Sequence, residues 1–199
     1  MSEAPVLHGA RVTLRGPRER DIDDRFAAGK PDEYVYMCGG NRAENDEHPP
    51  RDVWVRWNQR ETAPKEGELS WRMEAEGICI GSIRLHQISM CDHSARLAIG
   101  IWNIDYLSKG LGTEAIRLVL GYAFDTMRLH RVELTVLDYN LRGIRCYEKC
   151  GFRREGVLRE SAFIEGEYHS DIIMSILEPE YRSMCGGTCI TEPEGKGNV

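Results

Sequence analysis

Between Ala95 and Arg128 the spacing of apolar residues changes period, and that change restricts the chain to a fold that mixes strands with helices. Residues 95–102 read as a strand closing a meander, whose clearest member alternates Leu69, Trp71 and Met73 with Ser70, Arg72 and Glu74. From Gly112 to Arg128 the polar residues Glu114, Arg117, Asp125 and Arg128 recur at three- and four-residue spacings, with Gly121 in the same stripe. Leu111, Ala115, Ile116, Leu118, Val119, Leu120, Tyr122, Ala123 and Phe124 cover the remainder, so this helix has only a narrow wet edge.

The same logic places the other elements. Residues 9–15 alternate Ala10, Val12 and Leu14 with polar positions and read as a strand that Gly16-Pro17 ends. Asp21 is expected to cap a short helix carrying Ile22, Phe26 and Ala27. Residues 31–50 predict a helical turn and a loop, and Pro50 stands at the start of a helix that aligns Val53, Trp54 and Trp57. Turns at Glu76-Gly77 and Asp92-His93 separate strands of the meander. Residues 131–137 predict a strand, Asn140 caps a helix running to about Cys150, and Gly151 suits its left-handed end. Glu165-Gly166-Glu167 joins two last strands as a hairpin. The expected fold class is α/β (α+β): a mixed, mostly antiparallel sheet of about seven strands flanked by about four helices. Residues 1–8 form a lead, 8–180 one domain, and 181–199 a Gly-rich disordered tail.

Composition narrows the function. With 199 residues, 41% of them hydrophobic, the chain suits one generous domain. No segment approaches the ~20 apolar residues of a membrane-spanning helix, and no apolar signal region opens the chain. A net charge of −6 argues against nucleic acid as the partner and suits a cationic substrate better than an anionic one. The seven cysteines show no Cys-x-x-Cys pair and the six histidines no His-x-x-x-His pair, so no metal site is expected. An odd number of scattered thiols fits the cytoplasm.

The segment Tyr106-Leu-Ser-Lys-Gly110-Leu-Gly112-Thr-Glu114 follows a strand and opens the apolar helix. Glycines there bring backbone N–H groups close to a ligand, and the helix start favours an anion such as a diphosphate, with Lys109 adding to the field. Ala115 occupies the third position of Gly-x-Gly-x-x-Gly, so the dinucleotide fingerprint is excluded. About 28 residues past Gly112 comes Asn140, followed by Gly143, Tyr147, Gly151 and Phe152. Together these segments resemble the GNAT superfamily of acetyl-CoA-dependent N-acetyltransferases, whose loop has the form Arg/Gln-x-x-Gly-x-Gly/Ala and whose later stretch has the form Asn-x-x-Ala-x-x-x-Tyr-x-x-x-Gly-Phe. The opening Gly-x-x-Val-x-Leu-Arg is similar to the branch containing ribosomal-protein and spermidine acetyltransferases. The resemblance extends over about residues 9–177. Leu107 departs from the usual Arg or Gln, and Thr135 stands where some peptide-specific members carry a catalytic Glu.

The resemblance implies acetyl-CoA as co-substrate. Binding is expected at Ser108, Lys109, Gly110, Leu111, Gly112, Thr113 and Glu114, along the strand edge at Ile101, Trp102 and Asn103, and at Asn140 and Tyr147. Tyr147 is the expected acid at the departing sulfur. Glu133, on the same side of its strand as Thr135, is the candidate base, with Glu74, Glu76 and His86 behind it. Cys146 and Cys150 are expected to pack rather than to carry an acetyl group. Residues 34–40, 53–57 and 163–168 should wall the acceptor cleft. The expected reaction is acetylation of a primary amine (a protein N-terminus, a polyamine or a small molecule) by direct attack in a ternary complex, with no nucleic acid or membrane partner. A second copy of the chain is left open as a partner. The alternative is a non-catalytic acyl-CoA-binding sensor or interaction module.

Overall fold

Every strand that borders the site lies in one twisted sheet, whose order is set by two hairpin series and a single parallel step. The computed structural model describes residues 4–184 apart from Glu47 and Pro64. Its eight strands are β1 (Leu7–His8), β2 (Thr13–Arg15), β3 (Leu69–Ala75), β4 (Ile78–Ser89), β5 (Ser94–Ile101), β6 (Arg131–Leu137), β7 (Arg153–Ile164) and β8 (Glu167–Leu177). Their order in the sheet is β1-β2-β3-β4-β5-β6-β8-β7, and only β5 and β6 run parallel. The helices are α1 (Asp21–Ala28), α2 (Asp32–Met37), α3 (Arg51–Thr62), α4 (Leu111–Gly121), α5 (Leu141–Lys149) and α6 (Glu178–Met184).

Period-two alternation decides which face of the sheet each residue joins. Trp71, Met73, Ile83, Leu85, Leu97, Val132, Leu134 and Met174 point to one side, where α4 contributes Leu111, Ala115, Ile116, Val119 and Leu120. Each such Leu, Ile or Val contributes about 1.5–3 kcal/mol of burial free energy. Packing requirements also explain the wide apolar coverage of α4, which continues into a π-helical turn at Tyr122–Thr126 with Ala123 and Phe124 buried. The opposite face is polar and is covered in part by α1, α2 and α3.

Three readings change on folding. Residues 9–15 are not one strand: Gly9 N–H donates to the Val12 carbonyl at 2.9 Å, closing a tight turn between β1 and β2. Pairing of Leu7 with Leu14, and donation from the Trp71 indole to the Pro5 carbonyl at 2.7 Å, tie the lead to the sheet. Asp21 does not cap α1 in the expected way. Its carboxylate turns inward, accepts from the Arg18 N–H and takes both terminal nitrogens of Arg15. Finally, α6 continues through Met184, into the segment read as a tail; residues 185–199 of that reading lie outside the described residues.

Candidate functional site

The parallel step opens the sheet. β5 and β6 pair only through Ser94, Ala95 and Arg96 against Arg131, Val132 and Glu133. Beyond that point β5 stays with β4 to Ile101, and β6 stays with β8 to Leu137. The facing edges diverge, and the backbone groups of residues 97–101 on the β6 side have no strand partner among the described residues. Helices α4 and α5 both begin at the open end of this gap, the position where parallel strands place ligands in α/β folds.

A cavity of about 420 Å³ occupies the gap and reaches both faces of the sheet. On the core side it is lined by Ile99, Ile101, Leu111, Gly112, Thr113, Cys146 and Tyr147, and on the other by Tyr34, Met37, Cys38 and Gly100. Gly110 has φ 82° and Ser108 φ 59°, so the loop makes a left-handed turn into α4. The first intrahelical bond joins Glu114 N–H to the Gly110 carbonyl, which leaves the amides of Leu111, Gly112 and Thr113 without helical acceptors. Arg142, Arg145 and Lys149 add cationic side chains from α5, and among the described residues no carboxylate or imidazole lines the cavity. An anion-binding end on an uncharged channel fits a diphosphate ligand with an amide-bearing arm.

Asn140 caps α5, its Oδ1 accepting from Gly143 N–H at 2.9 Å, while its amide reaches the Met37 carbonyl at 3.4 Å. Tyr147 is 9% exposed, its ring 5.9 Å from that of Phe152. Burial pushes its phenol well above the usual value, so the hydroxyl is a proton donor throughout the neutral range. Tyr34 rests on Gly100, where a β-carbon would lie 3.2 Å from its ring and hydroxyl. Stacking of Tyr36 on Tyr139 at 4.3 Å, with Tyr139 OH donating to the Tyr36 carbonyl at 2.6 Å, braces the α2 wall against the end of β6.

Of the residues expected to bind the co-substrate, the fold brings Ile101, Ser108, Gly110, Leu111, Gly112, Thr113, Asn140 and Tyr147 to this cavity. Trp102 leaves it. β5 ends at Ile101, Trp102 N–H turns to the Ile80 carbonyl, and the indole packs on the other face, 4.4 Å from the Arg25 guanidinium. Asn103 caps the following 3-10 turn by accepting from Asp105 N–H. Lys109 lies 5.2 Å over the Tyr106 ring. Glu114 faces away, binding the amides of Arg11 and Val12 and the Arg11 guanidinium, so that it joins the β1–β2 turn to α4.

Glu133 is also elsewhere. It sits at the closed base of the gap in ion pairs with Arg131 at 2.9 Å and Arg96 at 3.5 Å. Arg96, its register partner, is four residues from Gly100, about 13 Å along the strand. Glu74 is held by Arg15, Arg18 and Arg20, and Glu76 accepts from Tyr106 OH. His86 lies beyond Arg84 on the polar face, and burial together with Arg84 and Arg96 lowers its proton affinity. None of these lines the cavity.

Cys150 packs in the core as expected, and half-buried Cys146 packs against that core but has a second role. Its Sγ lines the cavity, 3.3 Å from Thr113 Oγ1. The adjoining Cys150 thiol, whose own bond runs to the Thr113 carbonyl at 3.6 Å, draws it below the ordinary cysteine range; burial opposes this, and Thr113, Lys149 and Arg117 assist it. Among the aromatics expected to wall the acceptor cleft, Trp54 is buried, whereas Phe163 and Tyr168 are exposed at the hairpin tip, 4.9 Å apart. Among the described residues, no group of three or more His, Cys, Asp or Glu side chains is arranged to hold a metal.

Comparison with known proteins agrees with this geometry. The acetyltransferase (GNAT) domain profile matches residues 11–153. A probable N-acetyltransferase of Bacillus subtilis, YjcK, is 30% identical over 167 residues, covering 81% of this chain and 83% of its own. Spermidine N(1)-acetyltransferase of Escherichia coli is 33% identical over 116 residues, 58% of this chain and 62% of that protein. The crystal structure of spermidine N-acetyltransferase from Vibrio cholerae with CoA and spermine superimposes with TM-score 0.71 at 25% identity, over 87% of this chain and 99% of that one. A GCN5-related N-acetyltransferase from Brucella melitensis shares the fold with TM-score 0.78 at 20% identity, over 92% of this chain and 83% of that one.

Proposed function

The chain belongs to the GNAT acetyltransferase family, and from that premise we propose that it transfers the acetyl group of acetyl-CoA to a primary amine by direct attack within a ternary complex. The observation that carries the proposal is the cavity through the divergent strands, with open helix amides at one end and Tyr147 in its wall. Acetyl-CoA supplies an activated thioester carbonyl. The amides of Leu111, Gly112 and Thr113 would hold its diphosphate, with Arg145 and Lys149 adding positive charge. Backbone groups of residues 97–101 would pair with its amide-bearing arm as an added strand does. Tyr147 protonates the departing sulfur. Among the described residues the cavity wall carries no carboxylate or imidazole, so water is the proton acceptor in this reading, and turnover should rise with pH as the acceptor amine itself deprotonates. The shared segments with spermidine acetyltransferases support reading the chain in the branch that contains ribosomal-protein and spermidine acetyltransferases.

Thiol release from acetyl-CoA with a panel of primary amines tests the reaction. Amine-dependent release is expected; CoA binding without any such release would instead support a non-catalytic acyl-CoA-binding module. Gly112 tests the ligand end. A β-carbon there meets Cys146 Sγ and Ile101 Cδ1 at 3.7 Å, ordinary contact, so the protein itself tolerates a side chain. Gly112→Val fills the space before the helix amides and should weaken CoA at least about tenfold by calorimetry with the melting temperature retained. Unchanged affinity would show that the diphosphate lies elsewhere.

A further inference from the structure

The acceptor side of the cavity opens onto the polar face of the sheet, and the charges there differ in sign from the whole chain. Glu61 is engaged by Arg25 and Arg72, Glu33 by Arg142, Glu165 by Arg42, Glu133 by Arg96 and Arg131, and Glu68, beside His86, by Lys65. Two others, Asp138 and Asp171, accept from the Ser170 amide and the Ser161 hydroxyl near the β8 end. A polyamine entering here meets no carboxylate free of a partner on the cavity wall.

Arg84 lies on the same face and makes no ion pair with a described residue. It is exposed on β4, and Ile83 and Leu85 on either side of it point into the core. Its register neighbours are small: Ser70 on β3 and Ala98 on β5. Ser82, two residues along on the same face, is opposite Gly100. These four small residues form a trough from which the Arg84 side chain rises, leading to the Gly100 rim of the cavity beneath Tyr34. The step from the Arg84–Ala98 pair to the Ser82–Gly100 pair is about 6.6 Å, within the reach of an arginine side chain.

We propose that the amine acetylated by this protein is small and carries an anionic group, carboxylate or phosphate, bound by the Arg84 guanidinium while its nitrogen enters the cavity beside Gly100. Guanidinium presents a planar pair of donors that matches either anion. Asn140 and Tyr147 face the far side of that opening, so recognition by Arg84 fixes the short distance between anion and nucleophile. A polyamine is disfavoured by the same charge. The inference rests on the acetyl-transfer reading and names its substrate class.

The test is a comparison of kcat/KM by thiol release for glycine, phosphoethanolamine, the neutral 2-methoxyethylamine and spermidine. Wild-type protein should favour glycine or phosphoethanolamine over the other two, and the preferred member of that pair identifies the anion. Arg84→Ala should reduce the ratio of anionic to neutral amine at least tenfold, chiefly through KM. Arg84→Lys should recover part of it, and Arg84→Glu should turn the preference toward spermidine. Because Arg84 is exposed, each variant should keep its melting temperature. A wild-type preference for spermidine, or a ratio unmoved by Arg84→Ala in folded protein, would overturn the proposal. Absence of amine-dependent thiol release with every amine tried, other primary amines included, would overturn the acetyl-transfer reading beneath it.

Discussion

Tyr147→Phe should lower kcat for acetyl transfer about 100-fold, with little change in KM for acetyl-CoA. A factor of 100 corresponds to about 2.7 kcal/mol of transition-state stabilisation. The substitution keeps the ring, and with it the edge contact to Phe152 and the packing of α5 on the core. It removes only the hydroxyl, which has no protein hydrogen-bond partner among the described residues and belongs to a side chain lining the cavity. Burial holds that phenol protonated across neutral pH, as an acid at a leaving sulfur requires. A packing role predicts the opposite pattern. With no protein hydrogen bond to lose, phenylalanine would leave both stability and turnover near wild type. The measurement is steady-state thiol release on either side of the acetyl-CoA KM, and a variant retaining more than half of kcat would remove Tyr147 from the chemistry.

What could be read from sequence divides according to how local each determinant is. β6 over Arg131–Leu137 and α5 between the Asn140 cap and left-handed Gly151 depend on neighbours a few residues away, and both were legible. The turn from Ser108 into α4 was legible as backbone structure, because glycine before an apolar helical run supplies the left-handed residue that the helix start needs. Trp102 was not. Period two assigns it to the strand, but the turn of its N–H toward Ile80 is a tertiary event that ends β5 one residue earlier. Cys146 presents the converse problem. Helical spacing puts it on the flank of α5, and only the approach of Thr113 from α4 decides that the flank is a cavity wall. Glu133 was placed on the correct face of its strand, yet the distance to the opening depends on where β5 and β6 part. Arg84 offered no signal at all, since an exposed arginine in a strand acquires meaning only from the small residues beside it.

Asp21 was read as a cap because capping is the local role of an aspartate before a helix. Its actual partner makes it the site of the largest expected stability loss: Asp21→Ala should destabilise the protein by about 3 kcal/mol, the lower part of the ~3–5 kcal/mol seen when a buried pair loses one member. For a domain of this size the melting temperature should fall by about 6–12 °C. Arg15 and Asp21 are each 2% exposed and joined by bonds of 2.7 and 2.9 Å, so removing the carboxylate strands a guanidinium away from water. Glu74, 2.7 Å from Arg15 Nε, remains and limits the damage. Acid should attack the same layer. Glu74 and Glu61 lie below their ordinary pKa because arginine contacts outweigh burial, which works the other way. Glu155 is held at about 2 by Arg131 and Ser175. A folded-state pKa below the unfolded one gives stability that is fully present above the unfolded value and disappears as pH falls through the folded one. Unfolding monitored by denaturant should therefore show stability declining from about pH 4.5 toward 2. The decisive comparison is Arg15→Met combined with Asp21→Leu. If the single change is costly because it leaves a charge unpaired, replacing both partners by apolar side chains should recover most of the loss. A double variant as unstable as Asp21→Ala would instead mean that the pair holds α1 against β2 by its geometry, and that charge plays little part.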